Sequence, residues 1–261
     1  MNQRNAQDED INRPTGWLER PALPRLAYRH SAGRNPGIVF LSGYASDMTG
    51  TKAGALEAAA RHAGIAFLRF DYRGHGQSEG RFEESTIGQW KDDALAIFDA
   101  LTEGPQILVG SSMGGWIALL IALARPERVR AVVGIAAAPD FTQRLVAASL
   151  SDTQKKELAE NGVIYEPSEY GPPLPFTRAL IEDGRNHLLL DAPIPFVGKV
   201  RLLYGQRDLS VPWETGLKLA EALGTADVRL TFVKDGDHRL SRPEDIALLI
   251  QTVEELAGQG P

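Results

Sequence analysis

The strongest chemical signal in the sequence is a serine placed between glycines at residues 110–115. Ser112 is the centre of a Gly-x-Ser-x-Gly pattern, with an apolar run before it and an Ala- and Leu-rich run after it. A serine in a tight strand-to-helix turn projects its hydroxyl outward, and small residues such as Gly110 and Gly114 let the strand and the helix pack closely. This context favours a nucleophile at Ser112 over an ordinary turn.

A serine nucleophile needs a general base, because its hydroxyl scarcely ionises near neutral pH. His238 lies in a turn directly after the last predicted strand, Val228–Val233. Ligands of doubly wound sheets gather at the carboxyl ends of the strands, and His238 has that position. We therefore predict His238 as the base. The other histidines suit surface, capping or packing roles; they are His30, His62, His75 and His187.

The base in turn needs an acid that orients its ring. Asp208 follows the predicted strand at 200–204, which gives the chain order serine, aspartate, histidine that is typical of one class of hydrolase. Asp140 is the alternative acid because it also follows a strand end. Asp237 is adjacent to His238 and cannot easily bend back to the ring, so we interpret it as a turn former.

Negative charge that develops on a reacting carbonyl oxygen must be stabilised by hydrogen-bond donors. The predicted helix that starts at Met113 offers one free backbone N–H, and the loop after the first predicted strand offers another at Tyr44. We predict these two N–H groups as an oxyanion hole, with Gly43 beside the substrate. A plain turn glycine is the alternative interpretation of Gly43.

The composition argues against several other kinds of site. The chain has 261 residues and no cysteine, which excludes disulfides, thiolate nucleophiles and cysteine-ligated metals. No two histidines share a helix face or a short loop, so no metal site is predicted. The 28 basic and 34 acidic residues give a net charge of −6, which argues against a nucleic-acid partner. Gly74, Gly76 and Gly80 are one residue off the dinucleotide-binding spacing, and we interpret them, with a hydrogen-bonded His75, as a structural turn.

Short apolar runs alternate with helical patterns along most of the chain. The predicted strands are predominantly apolar, as is typical of parallel strands buried on both faces. They are residues 37–41, 65–70, 106–110, 129–135, 200–204 and 228–233. The predicted helices are residues 51–62, 87–101, 113–124, 211–223 and 243–256. This order predicts an α/β fold in which a mostly parallel central sheet carries helices on both faces.

Residues 140–175 break the alternation and are predicted to form a small cap insertion. Two helix-like pieces are followed by a loop at 166–175 that holds four prolines. We predict that Phe141, Leu145 and Phe176 help to shape a substrate pocket beneath the cap. Ordinary core packing is the alternative interpretation of these three side chains.

The start of the chain carries no clear targeting signal. Residues 1–16 are polar, and we interpret them as a flexible tail before a single domain at 17–261. They contain no apolar run for a signal peptide, and Asp8, Glu9 and Asp10 are unusual for an organellar presequence. No segment approaches the roughly 20 apolar residues of a membrane helix. The expectation is a cytoplasmic protein without stable membrane insertion, of open oligomeric state.

Together these motifs resemble the α/β-hydrolase superfamily from about Leu26 to Leu256. Several short segments look more specifically like a family of mitochondrial α/β-hydrolase-domain enzymes that act as palmitoyl-protein thioesterases and acyl-glucuronide esterases. These segments are residues 43–44, 50–53, 69–72, 84–86, 104–112, 124–127, 211–213 and 237–239. Ser42 departs from the histidine that many superfamily members carry before the oxyanion-hole glycine, but a backbone donor is unaffected by that change.

The resemblance implies hydrolysis of carboxylic esters or acyl thioesters without a cofactor. It implies Ser112 as nucleophile, Asp208 as acid and His238 as base, with a small-molecule acyl ester or thioester, or an acylated protein, as substrate. Two alternatives belong to other classes of protein. One is a cofactor-free haloperoxidase or lyase that uses the same triad, and the other is a non-catalytic ligand-binding protein that retains the fold.

Overall fold

The computed structural model describes residues 12–169 and 171–258. The strands of this part of the chain are β1 (Gly16–Arg20), β2 (Leu23–Ser31), β3 (Arg34–Leu41), β4 (Ile65–Phe70), β5 (Gln106–Ser111), β6 (Val129–Ile135), β7 (Val163–Ser168), β8 (Gly171–Thr177), β9 (Lys199–Gly205) and β10 (Val228–Val233). The helices are α1 (Thr51–His62), α2 (Ile87–Leu101), α3 (Met113–Ala124), α4 (Asp152–Asn161), α5 (Arg178–Gly184), α6 (Glu214–Ala222) and α7 (Pro243–Leu256).

Eight strands form one sheet in the order β1-β2-β4-β3-β5-β6-β9-β10. The pairs β1–β2 and β2–β4 are antiparallel, whereas every pair from β4 to β10 is parallel. Strand β5 lies near the centre, between β3 and β6. The turn that follows β5 is therefore at the middle of the carboxyl edge, where ligands bind in sheets of this kind.

Helices cover both faces of the sheet because side chains alternate along the buried strands. In β3, Val39 and Leu41 belong to a core that includes side chains of α2, α3 and α6. Ile38 and Phe40 point to the other face and belong to a second core with side chains of α1 and α7. Among the described residues, no helix has both the length and the apolar character needed to cross a membrane.

The segment between β6 and β9, residues 136–198, departs from the strand–helix alternation, and we call it the cap segment. It begins with a π-helical turn at Thr142–Ala147 and continues through α4. Strands β7 and β8 then pair antiparallel, with Ile164 opposite Phe176, and we call this pair the cap hairpin. Helix α5 and a short 3-10 turn at Arg185–His187 complete the segment.

The structure differs from the sequence-based prediction mainly at the sheet edge and in the cap segment. Strands β1 and β2 are not predicted, because both are partly exposed and carry charged residues in place of a continuous apolar run. The prediction of a loop at 166–175 is wrong, since most of these residues form the cap hairpin. Each strand of an isolated hairpin has one unpaired edge, and proline is tolerated there. The cap segment also extends past residue 175 to include α5.

The tail predicted at 1–16 lies mainly outside the described residues. In the part that the structure describes, Thr15 N donates to Tyr28 O at 2.8 Å, and β1 begins at Gly16. His30 N donates in turn to the Thr15 hydroxyl oxygen at 2.9 Å. The last residues of the predicted tail therefore pair with β2.

Candidate active site

Ser112 lies in the turn between β5 and α3. Strand β5 ends at Ser111 and α3 begins at Met113. The backbone of Ser112 has φ 53° and ψ −118°, a strained conformation for any residue other than glycine. Its N–H donates to Ile135 O at 2.9 Å, and its carbonyl accepts from Ala138 N at 3.1 Å. These bonds to the strand end of β6 hold the turn in its strained form.

Close approach of three backbone segments requires glycine on both sides of this turn. A Cβ on Gly110 would lie 2.2 Å from Gly114 O, and a Cβ on Gly114 would lie 2.1 Å from Leu41 O. Neither distance leaves room for a side chain, because packed interiors cannot shift by the required amount. Strands β3 and β5 and helix α3 therefore converge directly beneath Ser112.

His238 and Asp208 meet at the carboxyl ends of the adjacent strands β10 and β9. His238 Nδ1 lies 2.8 Å from Asp208 Oδ2. A carboxylate only accepts, so Nδ1 carries the proton and Nε2 is left as the acceptor. Asp208 Oδ1 accepts from Ser210 N and Val211 N, both at 2.8 Å. The Asp208 side chain is fully buried, whereas that of His238 is 19% exposed. This arrangement fixes the ring orientation and leaves one edge of the ring accessible.

The loop that carries His238 reaches back across the sheet edge to α1. Lys52 Nζ, in the first turn of α1, donates to Arg239 O at 2.6 Å, which joins residues 187 positions apart. Burial lowers the pKa of Lys52 to about 8, and the charge of Arg239 adds to this effect. Asp237 accepts from Leu240 N at 2.9 Å, as expected of a turn former. The Lys52 bond therefore ties the loop that carries His238 to the first turn of α1.

Asp140, the alternative acid, has a different set of partners. Its Oδ1 accepts from Leu189 N at 2.8 Å, and its Oδ2 accepts from Leu190 N at 2.9 Å. Arg144 Nε donates to Oδ2 at 3.3 Å. All three partners belong to the cap segment. Asp140 therefore fastens the beginning of the cap segment to its end, and its carboxylate is occupied there rather than at an imidazole.

The loop after β3 brings Gly43 and Tyr44 beside Ser112. A Cβ on Gly43 would lie 3.4 Å from Ser112 Cβ, so the two turns are in contact. Ser46 N donates to Gly43 O at 3.2 Å and closes a turn that contains Tyr44. Met113 is the first residue of α3, where the N–H has no partner within the helix. The oxyanion role of the Tyr44 and Met113 N–H groups stays a prediction.

An aromatic cluster surrounds the Tyr44 side chain next to these turns. We define the aromatic cluster as Tyr44, Phe82, Trp90, Phe141 and Phe176. The centroids of the other four rings lie 4.8 to 5.8 Å from that of Tyr44. Phe176 is stacked on Tyr44 at 5.2 Å with an interplanar angle of 6°. The structure thus brings two of the predicted pocket residues, Phe141 and Phe176, into contact with the predicted oxyanion turn.

Leu145, the third predicted pocket residue, is half-buried and packs against the same hydrophobic core. The sequence does not indicate a pocket role for Phe82 or Trp90. Trp90 has the spacing of an ordinary buried helix face, and Phe82 lies in a turn-rich stretch. Their contacts with Tyr44 join separate parts of the chain, so no local pattern reveals them.

The remaining titratable groups of the described residues are not arranged as a metal site. In the part of the chain that the structure describes, no three His, Cys, Asp or Glu side chains are grouped to hold a metal ion. His75 is buried with Nδ1 at 3.3 Å from Arg73 O, but its Nε2 has no partner among the described residues. The expectation of a hydrogen-bonded His75 therefore holds for Nδ1 and fails for Nε2. Burial lowers the pKa of His75 to about 4, so the ring is neutral at neutral pH.

Comparisons with known proteins agree with this architecture. The Hydrolase_4 family model, described as serine aminopeptidase S33, matches residues 35–162. The mitochondrial palmitoyl-protein thioesterase ABHD10 of Homo sapiens is 44% identical over 242 residues, which cover 92% of this chain and 79% of the human protein. The chain belongs to the α/β-hydrolase family of ABHD10.

Two solved structures are similar to this member of the family over nearly its whole length. α/β-Hydrolase domain-containing protein 10 from mouse is 43% identical with a TM-score of 0.88, and the match covers 94% of this chain and 98% of the mouse chain. A putative hydrolase from Agrobacterium vitis S4 is 43% identical with a TM-score of 0.89, and 92% and 96% of the two chains are covered. The predicted fold class and the resemblance to hydrolytic enzymes are confirmed.

Proposed function

We propose that this α/β-hydrolase cleaves carboxylic ester or acyl-thioester bonds by passing the acyl group through Ser112 to water. The observation that carries the proposal is the 2.8 Å hydrogen bond between His238 Nδ1 and the buried Asp208. It presets the tautomer in which Nε2 accepts a proton. The relatives at 44% identity are named palmitoyl-protein thioesterases, which supports the same class of reaction.

In the proposed mechanism, Ser112 Oγ attacks the carbonyl carbon while His238 Nε2 takes the hydroxyl proton. Asp208 stabilises the imidazolium that forms. The N–H groups of Tyr44 and Met113 bind the oxyanion, helped by the positive end of α3. The imidazolium then gives its proton to the leaving alcohol or thiol. Water attacks the acyl-enzyme with the same ring as base, and the carboxylic acid is released.

The substrate in this proposal is a small-molecule acyl ester or thioester, or an acylated protein. Gly43 lies beside the carbonyl, and the acyl chain points from there towards the aromatic cluster, where Phe141, Phe176 and Leu145 limit the pocket. A single domain at 17–261 that includes the cap segment is part of the same proposal. The cytoplasmic location stays a prediction, and the curated relatives are named as mitochondrial proteins.

The decisive experiment replaces the nucleophile and its neighbour in parallel. We expect Ser112→Ala to reduce hydrolysis of p-nitrophenyl butyrate and butyryl-coenzyme A to the uncatalysed rate, with an unchanged thermal midpoint. Ser111→Ala removes the adjacent hydroxyl and is expected to keep most of the activity. A fluorophosphonate probe is expected to label the wild type at Ser112 alone.

Three results would contradict the proposed function. The first is hydrolysis by Ser112→Ala at a rate comparable with the wild type. The second is fluorophosphonate labelling at another residue, or no labelling. The third is oxidation that depends on halide and peroxide in a protein without hydrolytic activity, which would favour a haloperoxidase.

A further inference from the structure

The proposed mechanism uses only the backbone N–H of Tyr44, yet the side chain of this residue joins two distant parts of the molecule. Its hydroxyl donates to the carbonyl oxygen of Pro175 in the cap hairpin, 131 residues away. Its ring stacks on Phe176, the next residue of β8. One polar and one apolar contact thus attach two successive residues of the cap hairpin to one side chain of the oxyanion turn.

The phenol of Tyr44 is held in its donor form. Burial raises the pKa of Tyr44 above its ordinary value, and the nearby Glu83 carboxylate adds to the shift. The hydroxyl therefore stays protonated across the pH range in which the protein is handled. Because the Pro175 carbonyl can only accept, Tyr44 must be the donor in this hydrogen bond.

The Tyr44 ring belongs to the residue whose N–H binds the reacting carbonyl in the proposed mechanism. A carbonyl bound to the Tyr44 N–H is therefore close to this ring. An acyl chain that extends from the carbonyl towards the cap segment meets the aromatic cluster. Rings at 4.8 to 5.8 Å between centroids are in van der Waals contact. No methylene chain passes between Tyr44 and Phe176 or Phe141 in this arrangement.

We propose that the side chain of Tyr44 determines the acyl-chain length that this enzyme accepts. This inference rests on the proposed function. A short acyl chain ends before the aromatic cluster and reacts with the cap hairpin in place. A long chain enters only when the Tyr44 hydroxyl releases Pro175 and the cap hairpin moves off the ring. Tyr44 thus acts on specificity through its contact with the hairpin, separately from its backbone N–H.

The cap hairpin offers a matched control for this proposal. Tyr165, which lies opposite Pro175 in the hairpin, donates its hydroxyl to Glu83 Oε1 at 3.1 Å. This second contact also ties the hairpin to the body of the protein, but Tyr165 is exposed and lies outside the aromatic cluster. Tyr165→Phe therefore removes a hairpin hydroxyl without touching the ring that borders the substrate.

The kinetic test compares Tyr44→Phe with Tyr165→Phe on p-nitrophenyl butyrate and p-nitrophenyl laurate. Tyr44→Phe keeps the ring and the backbone N–H and removes only the hydroxyl. We expect kcat/KM for laurate relative to butyrate to rise about fivefold, the factor that corresponds to one hydrogen bond of ordinary strength. The gain is expected in KM for laurate. An unchanged or lower ratio in Tyr44→Phe, or an equal rise in Tyr165→Phe, overturns the proposal.

Amide hydrogen exchange tests the contact without turnover. We expect the amides of β7 and β8 to exchange about fivefold faster in Tyr44→Phe than in the wild type, with those of β5 unchanged. Unchanged exchange in the cap hairpin overturns the role of the hydroxyl whether or not any ester is hydrolysed. A wild type that hydrolyses neither ester overturns the proposed function, and with it the role in chain length, even when exchange is faster.

Discussion

Asp140 and Asp208 occupy equivalent places in the fold but bind different partners. Each follows a parallel strand at the carboxyl edge, β6 for Asp140 and β9 for Asp208. Each side chain is fully buried, and each carboxylate accepts two backbone N–H groups at 2.8 to 2.9 Å. The third partner differs. It is His238 for Asp208, and Arg144 of the cap segment for Asp140.

Burial and backbone hydrogen bonds therefore do not by themselves distinguish the proposed catalytic acid from the other aspartate. Two N–H donors offset much of the desolvation of any carboxylate, and either aspartate could be a structural residue on that basis. The strand order makes the difference. Because β9 lies beside β10, the turn of Asp208 meets the turn of His238. The cap segment follows β6 directly, so Asp140 meets the end of that segment instead.

The largest effect is expected when the acid that binds His238 loses its charge. Asp208→Asn can still accept the backbone N–H groups, but it presents an amide N–H to the imidazole and favours the wrong tautomer. We expect kcat for p-nitrophenyl butyrate to fall by about 10⁴, with little change in thermal midpoint. Activity within tenfold of the wild type would show that Asp208 does not orient the base.

The matching substitution at the other carboxylate is expected to act on stability. Asp140→Asn places an amide N–H against the Leu189 or Leu190 N–H and weakens the pair with Arg144. We expect the free energy of unfolding to fall by about 1–3 kcal/mol, with limited proteolysis appearing first in the cap segment. Hydrolysis of p-nitrophenyl butyrate is expected to fall less than tenfold. A large loss of kcat without a change in stability would reverse the two roles.

At acid pH the protonation of His75 also changes the free energy of unfolding, separately from the two aspartates. The folded pKa of about 4 is below the ordinary value of 6.5, so the unfolded chain takes up the proton first as the pH falls. The stability that His75 contributes is complete above pH 6.5 and is lost as the pH falls towards 4. At pH 5 the loss is expected to reach about 2 kcal/mol.

His75→Gln keeps a neutral donor near Arg73 O and removes the titration. We expect urea unfolding of this variant to depend less on pH than that of the wild type between pH 7 and 5. The relevant quantity is the difference between the two proteins at each pH, because the substitution also changes packing against Phe82 and Trp90. A difference that does not vary with pH would contradict the assigned titration.

The sequence predicts the central strands well for a physical reason. Strands β3 to β6 and β9 are buried on two faces, so they are largely apolar runs that few other structures produce. Strand β10 lies at the sheet edge and alternates, but its apolar residues still mark it as a strand. The edge strands β1 and β2 and the cap hairpin lack such runs. Proline residues such as Pro172 and Pro173 argue against a strand in a sheet interior, but the cap hairpin is an isolated pair with free edges.

The candidate site also has parts that the sequence predicts and parts that it does not. Ser112, Asp208 and His238 each follow a strand end, so topology alone predicts that they share one edge of the sheet. Chain order favours Asp208 over Asp140. The partners that occupy Asp140 depend on where the cap segment ends, and no local pattern carries that information. The contact between the Tyr44 hydroxyl and Pro175 spans 131 residues, and no local pattern in the sequence predicts it either.

The bonds from Leu189 and Leu190 to Asp140 have an evolutionary consequence. They bring residues near the two ends of the cap segment, 140 and 189–190, to a single carboxylate, so the chain between them forms a closed loop outside the sheet. The entropy of closing this loop changes only slowly with its length, so a longer or shorter cap segment need not displace β6 or β9. Chimeras that exchange residues 141–188 between relatives should therefore transfer substrate preference while the catalytic scaffold is inherited intact.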